Sequence, residues 1–165
     1  MTTSLPTDLL KALTTNQNLS RTRLLQEAVS FKPTRHRVRT ASGSTLYTHC
    51  TLDTLLLPLV LEEDVEVETV PPGEAQPLVF NVKSGQVTGS EGVLISVPVR
   101  VDSGPVQQSF CPYSNAFPDR AAYEAWAAQS PVPTVGVSLS EAQQLAETLV
   151  AQLDAEDANA PLGCC

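Results

Sequence analysis

The stretch Leu46-Tyr47-Thr48-His49-Cys50-Thr51-Leu52-Asp53-Thr54-Leu55-Leu56-Leu57-Pro58 decides how the rest of the chain is read. Its apolar residues, continued by Leu59 and Val60, are dense and nearly all-round, the pattern of a helix buried on every side that Pro58 ends or kinks. On such a helix Cys50 and Asp53, three positions apart, project from one face. A carboxylate there costs free energy unless it is exposed, paired or used, and no Lys or Arg lies between Thr45 and Val60. A lone thiol on an apolar helix is ordinarily a small buried hydrophobe. With Asp53 beside it, a structural and a functional reading of Cys50 both stand.

Downstream, Val65-Glu66-Val67-Glu68-Thr69-Val70 alternates strictly and reads as a strand stopped by Pro71-Pro72-Gly73. Leu78 to Val82, the neighbourhood of Val87, and Val93 to Val101 are further strands, separated by Gly85, Gly89, Gly92 and Gly104, in a spacing that suits an antiparallel meander. Val106 to Pro112 reads as a last edge strand, because Pro112 lacks the donor a ladder needs, which places the second cysteine, Cys111, at a strand end. After Asp119 and Arg120, a helix follows with Tyr123, Trp126 and Ala127 on its apolar face. A short strand-like passage, Pro131 to Val137, leads to a final helix. Ser138 and Glu141 have the spacing of a capping box there, and Leu145, Leu149, Val150 and Leu153 form the buried face.

Upstream, Leu9, Leu10 and Leu13, then Leu19, Leu24, Leu25 and Val29, fit two short amphipathic helices, the second capped by Ser20. The region from Phe31 to Ser44 reads as a connector with one short strand around His36 to Thr40. Its basic run, Lys32, Arg35, His36, Arg37 and Arg39, reads as a solvated surface. The expected organisation is a helical segment and connector over residues 1–44, a main domain over 45–153, and an aperiodic, mobile tail over 154–165 ending in Cys164-Cys165. The fold class is α+β: an antiparallel or mixed sheet core flanked by helices, with a short helical N-terminal segment.

A chain of 165 residues, 42% hydrophobic and 17% charged, builds its own core. Its net charge of -8 argues against binding a phosphate backbone or an anionic lipid surface. Without an apolar run of ~18 residues or a signal-like N-terminus, a soluble, cytoplasmic protein is expected. Four cysteines, at 50, 111, 164 and 165, do not form the spacing of a disulfide framework and read as reduced thiols. Glycine-rich phosphate loops, H-E-x-x-H and C-x-x-C are absent, which argues against nucleotide chemistry and a zinc ribbon. His49 adjoins Cys50 but would project about 100° away on a helix, so a Cys-His catalytic pair is not implied.

The run Leu46-Tyr47-x-x-Cys50-x-Leu52-Asp53-Thr54-Leu55-x-x-Pro58 resembles the signature of the organomercurial (alkylmercury) lyases. So does Gln108-Ser109-Phe110-Cys111, followed by Asn115-Ala116-Phe117 and a helix containing Trp126. The resemblance covers residues 44 to 130 in order. It implies that Cys50 and Cys111 hold mercury as thiolates, that Asp53 relays a proton to the leaving carbon, and that no organic cofactor or resident metal is needed. Mercury then enters in a small organomercurial substrate and leaves as Hg(II). Thiolates suit this soft metal, and a second thiolate makes the attached carbon more basic. The chain departs from the family in the shortness of residues 1–44, in having no cysteine between Val60 and Phe110, and in Pro112, where some members have a further cysteine.

Cys164-Cys165 is similar to the terminal cysteine pair of mercuric reductases. That likeness implies delivery of Hg(II) to such a reductase or to small thiols. Two rival functions are a soft-metal carrier using the same thiols without catalysis, and a thiol redox protein in which Cys50 and Cys111 form a disulfide, which the absence of C-x-x-C disfavours.

Overall fold

Alternation at Val65–Thr69 (β4) places Val65, Val67 and Thr69 inward, fully or nearly fully buried, and Glu66 and Glu68 outward. The strand pairs with His36–Thr40 (β2) in a register that sets Arg37 opposite Glu68 and Arg39 opposite Glu66. Arg37 is ion-paired with Glu68, and Arg39 lies 3.9 Å from Glu66 and 3.8 Å from Glu68. The short strand expected around His36 to Thr40 is present, with Arg37 and Arg39 of the basic run on its outer face, whereas His36 is buried and not solvated. Cross-strand pairs of this exposure contribute about 0.2–1 kcal/mol each.

The computed structural model describes residues 20–89, 91–100 and 104–159, the last five as backbone only. The proposed helix around Leu9 to Leu13 and the Cys164-Cys165 pair lie outside the described residues. The chain proceeds through Arg21–Ala28 (α1), Val29–Ser30 (β1), β2, Thr45–Thr48 (β3), Thr51–Leu61 (α2), β4, Leu78–Lys83 (β5), Gln86–Thr88 (β6) and Leu94–Pro98 (β7). There follow Val106–Ser109 (α3), a 3-10 turn Cys111–Tyr113, Ala116–Phe117 (β8), Arg120–Ala127 (α4), Thr134–Ser138 (β9) and Leu139–Asn159 (α5). The architecture is α+β. One sheet has strand order β1-β3-β2-β4-β5-β6 and the other β8-β7-β9, and every described pairing is antiparallel. The main core lies between the sheets and helices α2 and α5, with Val38, Val67, Phe80, Leu55, Leu57, Ile95, Leu145 and Val150 at its centre.

Local signals hold at several ends. Ser20 caps α1, Asp119 caps α4, and Ser138 and Glu141 exchange backbone N–H bonds at 3.1 and 2.7 Å as a capping box. Four expectations need correction. Thr45–Thr48 is a strand hairpinned to β2, so the helix begins only at Thr51. Of the two roles offered for Pro58, ending the helix is ruled out: Pro58 sits inside it, and the helix runs on to Leu61 because residues 51–58 are all buried and tertiary packing overrides the lost N–H. The meander ends at β6, since β7 pairs with β8 and β9 in the second sheet. Val106–Pro112 is no edge strand: a short helix and a 3-10 turn carry Cys111. In addition, α5 continues past Leu153 into the expected tail.

A second small cluster packs Leu94, Phe117 and Tyr123, with Trp126 beside them. The Tyr123 ring meets Phe117 edge-on and its hydroxyl lies 3.0 Å from Thr134 Oγ1. It also covers Gly136 so closely that a Cβ there would sit 2.7 Å from the ring. Gly136→Ala should therefore destabilise by about 1–3 kcal/mol through overpacking, read as a lower denaturation midpoint with an unchanged m-value.

Candidate active site

Strand β3 ends at the fully buried Thr48, whose hydroxyl donates to the Cys50 carbonyl at 2.9 Å. The chain then bends through His49 and enters α2 with Cys50 as an extended N-cap residue, φ -151° and ψ 174°. Cys50 and Asp53 are thus the N-cap and third positions of the helix, not two residues on its side. That spacing also brings them together, since an N-cap side chain and the third residue's amide, and the third residue's side chain and the N-cap amide, face each other. The cap sulfur makes no capping hydrogen bond, but the nearby Asp53 amide favours a charged Cys50 sulfur and the Cys50 amide favours a charged Asp53 carboxylate.

Cys111 arrives on a 3-10 turn far downstream in the chain. Phe110, 2% exposed, anchors its turn, and the Ser114 N–H closes the turn on the Cys111 carbonyl at 3.2 Å. Ser96 of β7 holds the outer side: its hydroxyl donates to the Tyr113 carbonyl at 2.7 Å and accepts the Asn115 N–H at 2.9 Å. The Asn115 amide donates to the Pro112 carbonyl at 3.1 Å and accepts from Arg35 at 3.2 Å. Sequence reasoning did not single out Ser96 or Ser114. A serine that acts through partners so distant along the chain leaves no local pattern to find.

The three site residues predicted from sequence meet. The Cys111 sulfur lies 3.8 Å from an Asp53 carboxylate oxygen, and the two sulfurs and that carboxylate all lie within 4.8 Å of one another. Both thiols are free, and exposure is 1% at Cys50, 8% at Asp53 and 5% at Cys111. Burial raises the Asp53 carboxyl to about 7, although hydrogen bonds from the Cys50 side chain and backbone, from Cys111 and from the His49 backbone oppose the rise. Burial likewise lifts the Cys50 thiol well above the ordinary range. At Cys111 the hydrogen bond with Cys50 pulls downward, but burial and the Asp53 charge together outweigh it and the net shift is upward. The resting site thus favours protonated thiols beside a carboxyl poised near neutrality.

Neither histidine joins the group. His36 is buried with Nδ1 2.8 Å from Thr69 Oγ1, and burial, then Arg35 and His49, hold it down at about 4, so its ring is neutral at pH 7. His49 is half-buried in the bend before α2, and neither ring shifts the Cys50 or Cys111 thiol.

The Asp53 shift has a consequence for folding. The folded protein holds a proton at Asp53 up to about pH 7 that the ordinary carboxyl releases near 3.8. Its contribution is full below the lower value and is lost as pH rises through the upper one, about 4 kcal/mol in all at ~1.4 kcal/mol per pH unit. Urea titrations between pH 4.5 and 7.5 should show this decline in the wild type and a flatter profile in Asp53→Asn.

An alkylmercury lyase family model matches residues 29–151. The alkylmercury lyase of Streptomyces lividans is 30% identical over 147 residues, covering 88% of this chain and 66% of that protein. The one from Bacillus cereus is 26% identical over 145 residues, covering 87% and 65%. The chain therefore spans about two thirds of the length of these curated relatives. Among solved structures, the mercury-bound form of MerB2 superposes with a TM-score of 0.68 at 20% identity, over 76% of this chain and 62% of that one, which shows a shared fold. The matched residues 29–151 take in every described strand, both segments that bring the thiols together and the carboxyl between them, and the chain belongs to the alkylmercury lyase family.

Proposed function

We propose that this protein cleaves the carbon–mercury bond of organomercurials by protonolysis: R–Hg–X and two cysteine thiols give R–H, HX and mercury held between two cysteine sulfurs. The observation that carries this reading is the convergence of two thiols and one carboxyl, donor atoms within 4.8 Å, in a site with almost no solvent contact. Mercury displaces the thiol protons because thiolate is its preferred ligand, and it does so even where burial disfavours free thiolate. One sulfur captures the metal and the second raises its electron density, so the Hg–C electron pair is more readily protonated. Asp53, near pH 7 at half-protonation, takes up a displaced thiol proton and passes it to that carbon. The Hg–C bond breaks, the C–H bond forms, and Hg(II) stays on Cys50 and Cys111.

The deciding experiment incubates the protein with methylmercury or phenylmercury and excess thiol and measures methane or benzene. Hydrocarbon release above the thiol-only rate supports the lyase reading. Stoichiometric Hg(II) binding without hydrocarbon would make the protein a carrier instead.

Product Hg(II) leaves by exchange onto other thiols, and we assign a first acceptor role to Cys164 and Cys165, with small thiols or a mercuric reductase beyond them. Replacing both with serine should slow Hg(II) transfer to a thiol acceptor severalfold without changing the first turnover, and an unchanged transfer rate would end that assignment. Among the described residues no helix is long and apolar enough to cross a membrane. A cytoplasmic site of action, where excess thiol is present, fits this chemistry.

A further inference from the structure

An α-helix begins with amide groups that have no partner within the helix, and an oxygen-bearing N-cap side chain ordinarily accepts one of them. Helix α2 has a cysteine in that place and no side-chain hydrogen bond from its cap. Its first amides are nonetheless satisfied. The Thr51 N–H donates to the Ser114 carbonyl at 3.2 Å, and the Leu52 N–H donates to the Ser114 hydroxyl oxygen at 3.4 Å. Ser114 lies sixty-odd residues downstream, roughly one turn after Cys111, and its own N–H closes on the Cys111 carbonyl at 3.2 Å. It is wholly buried, so water does not substitute for any of these partners.

We propose that Ser114 is a positioning residue that caps α2 from outside the helix, docking the Cys111 turn onto the helix start and leaving the third amide, that of Asp53, to face the Cys50 sulfur. Two polar groups of Ser114 then join the Cys111 turn to the start of α2, and its N–H closes that turn on itself. An oxygen cap in position 50 would satisfy the helix equally well but would remove a thiol. A cap in trans lets the position be cysteine and ties the partner thiol to the same helix end. The positive end of the helix is directed at the sulfur that becomes thiolate when mercury binds. Ser96 supports this from the far side through the Tyr113 carbonyl and the Asn115 amide. The inference deepens the lyase reading and rests on it for the catalytic part, but the thiol geometry it concerns is measurable without turnover.

The test compares Ser114→Ala with Ser114→Thr, which keeps the hydroxyl, and with Gly136→Ala, a destabilised variant in a different cluster, each assayed below its own melting temperature. Ser114→Ala should lose about 10- to 100-fold in kcat on phenylmercury with KM moved less than about threefold, because capture needs one thiol and cleavage needs both held together. Its affinity for Hg(II), measured by competition with dithiothreitol, should fall by at least about tenfold. Ser114→Thr should recover most of both losses, and Gly136→Ala should show neither. Should Ser114→Thr fail to fold, the contrast between Ser114→Ala and Gly136→Ala decides alone. Equal kcat and equal Hg(II) affinity in Ser114→Ala, or losses that merely follow stability and appear in Gly136→Ala as well, would overturn the proposal. A wild type that binds Hg(II) but releases no hydrocarbon defeats the lyase reading while leaving the affinity comparison intact as a test of Ser114.

Discussion

Asp53→Asn should reduce hydrocarbon release from methylmercury or phenylmercury by about 10²- to 10⁴-fold, the usual contribution of a positioned general acid, while the protein still binds one Hg(II) with near wild-type affinity. The substitution keeps the shape of the side chain and an acceptor oxygen for the Cys50 amide, so the helix start and both thiols remain in place. What is lost is the proton. Asn cannot take up the proton that mercury displaces from a thiol, and with Asp53 at 8% exposure bulk water is a poor substitute. His36 does not replace it either, because its ring is held neutral at about 4 and is bonded to Thr69. Single-turnover gas release and Hg(II) competition on the same preparation make the measurement. Gas release within about threefold of wild type would mean that the proton comes from elsewhere, and the assigned role of Asp53 would be wrong.

Cys111→Ala should reduce cleavage at least as much as Asp53→Asn and, unlike it, weaken Hg(II) binding by about 10²- to 10⁴-fold. The second figure follows from effective concentration: two thiols whose sulfurs lie within 4.8 Å hold one metal as a chelate, and removing one converts a paired contact into a single one. Cys50→Ala should do the same, with an added cost to α2, whose third amide faces that sulfur. The opposed Hg(II) results for the carboxyl and thiol variants distinguish a lyase from a carrier, because a carrier needs the thiols and is indifferent to Asp53. Stoichiometric, tight Hg(II) binding by Cys111→Ala would show that the two thiols do not act on one metal.

Elements with strong local signals were legible from residues alone. The alternation of Val65–Thr69 and the Ser138–Glu141 box are read from neighbours within a few positions, and the structure has both. The stretch around Cys50 was harder, because dense apolar residues satisfy both a buried strand and a buried helix. Thr45–Thr48 became a strand through its pairing with Arg37, Val38 and Arg39, and that pairing leaves no mark in the apolar pattern itself. Pro112 is ambiguous for a related reason: a residue without an N–H ends a strand and opens a 3-10 turn equally well. Cys50 and Asp53 were expected to be neighbours as residues one helical turn apart. They are neighbours as cap and third position, a different geometry reached from the same spacing.

By itself, the sequence determined which groups are available to the site: two thiols and one carboxyl, with thiol and carboxyl three positions apart in a densely apolar stretch. Spacing and residue type are local properties and survive without a fold. Only the tertiary structure decided that Cys111 reaches them, through Ser114 on the α2 amides and Ser96 on the turn, and that all three groups are dry. Sulfur–sulfur distance and burial are products of packing between segments far apart in the chain. It is burial, in turn, that moves the Asp53 carboxyl from an ordinary acid to one poised near pH 7.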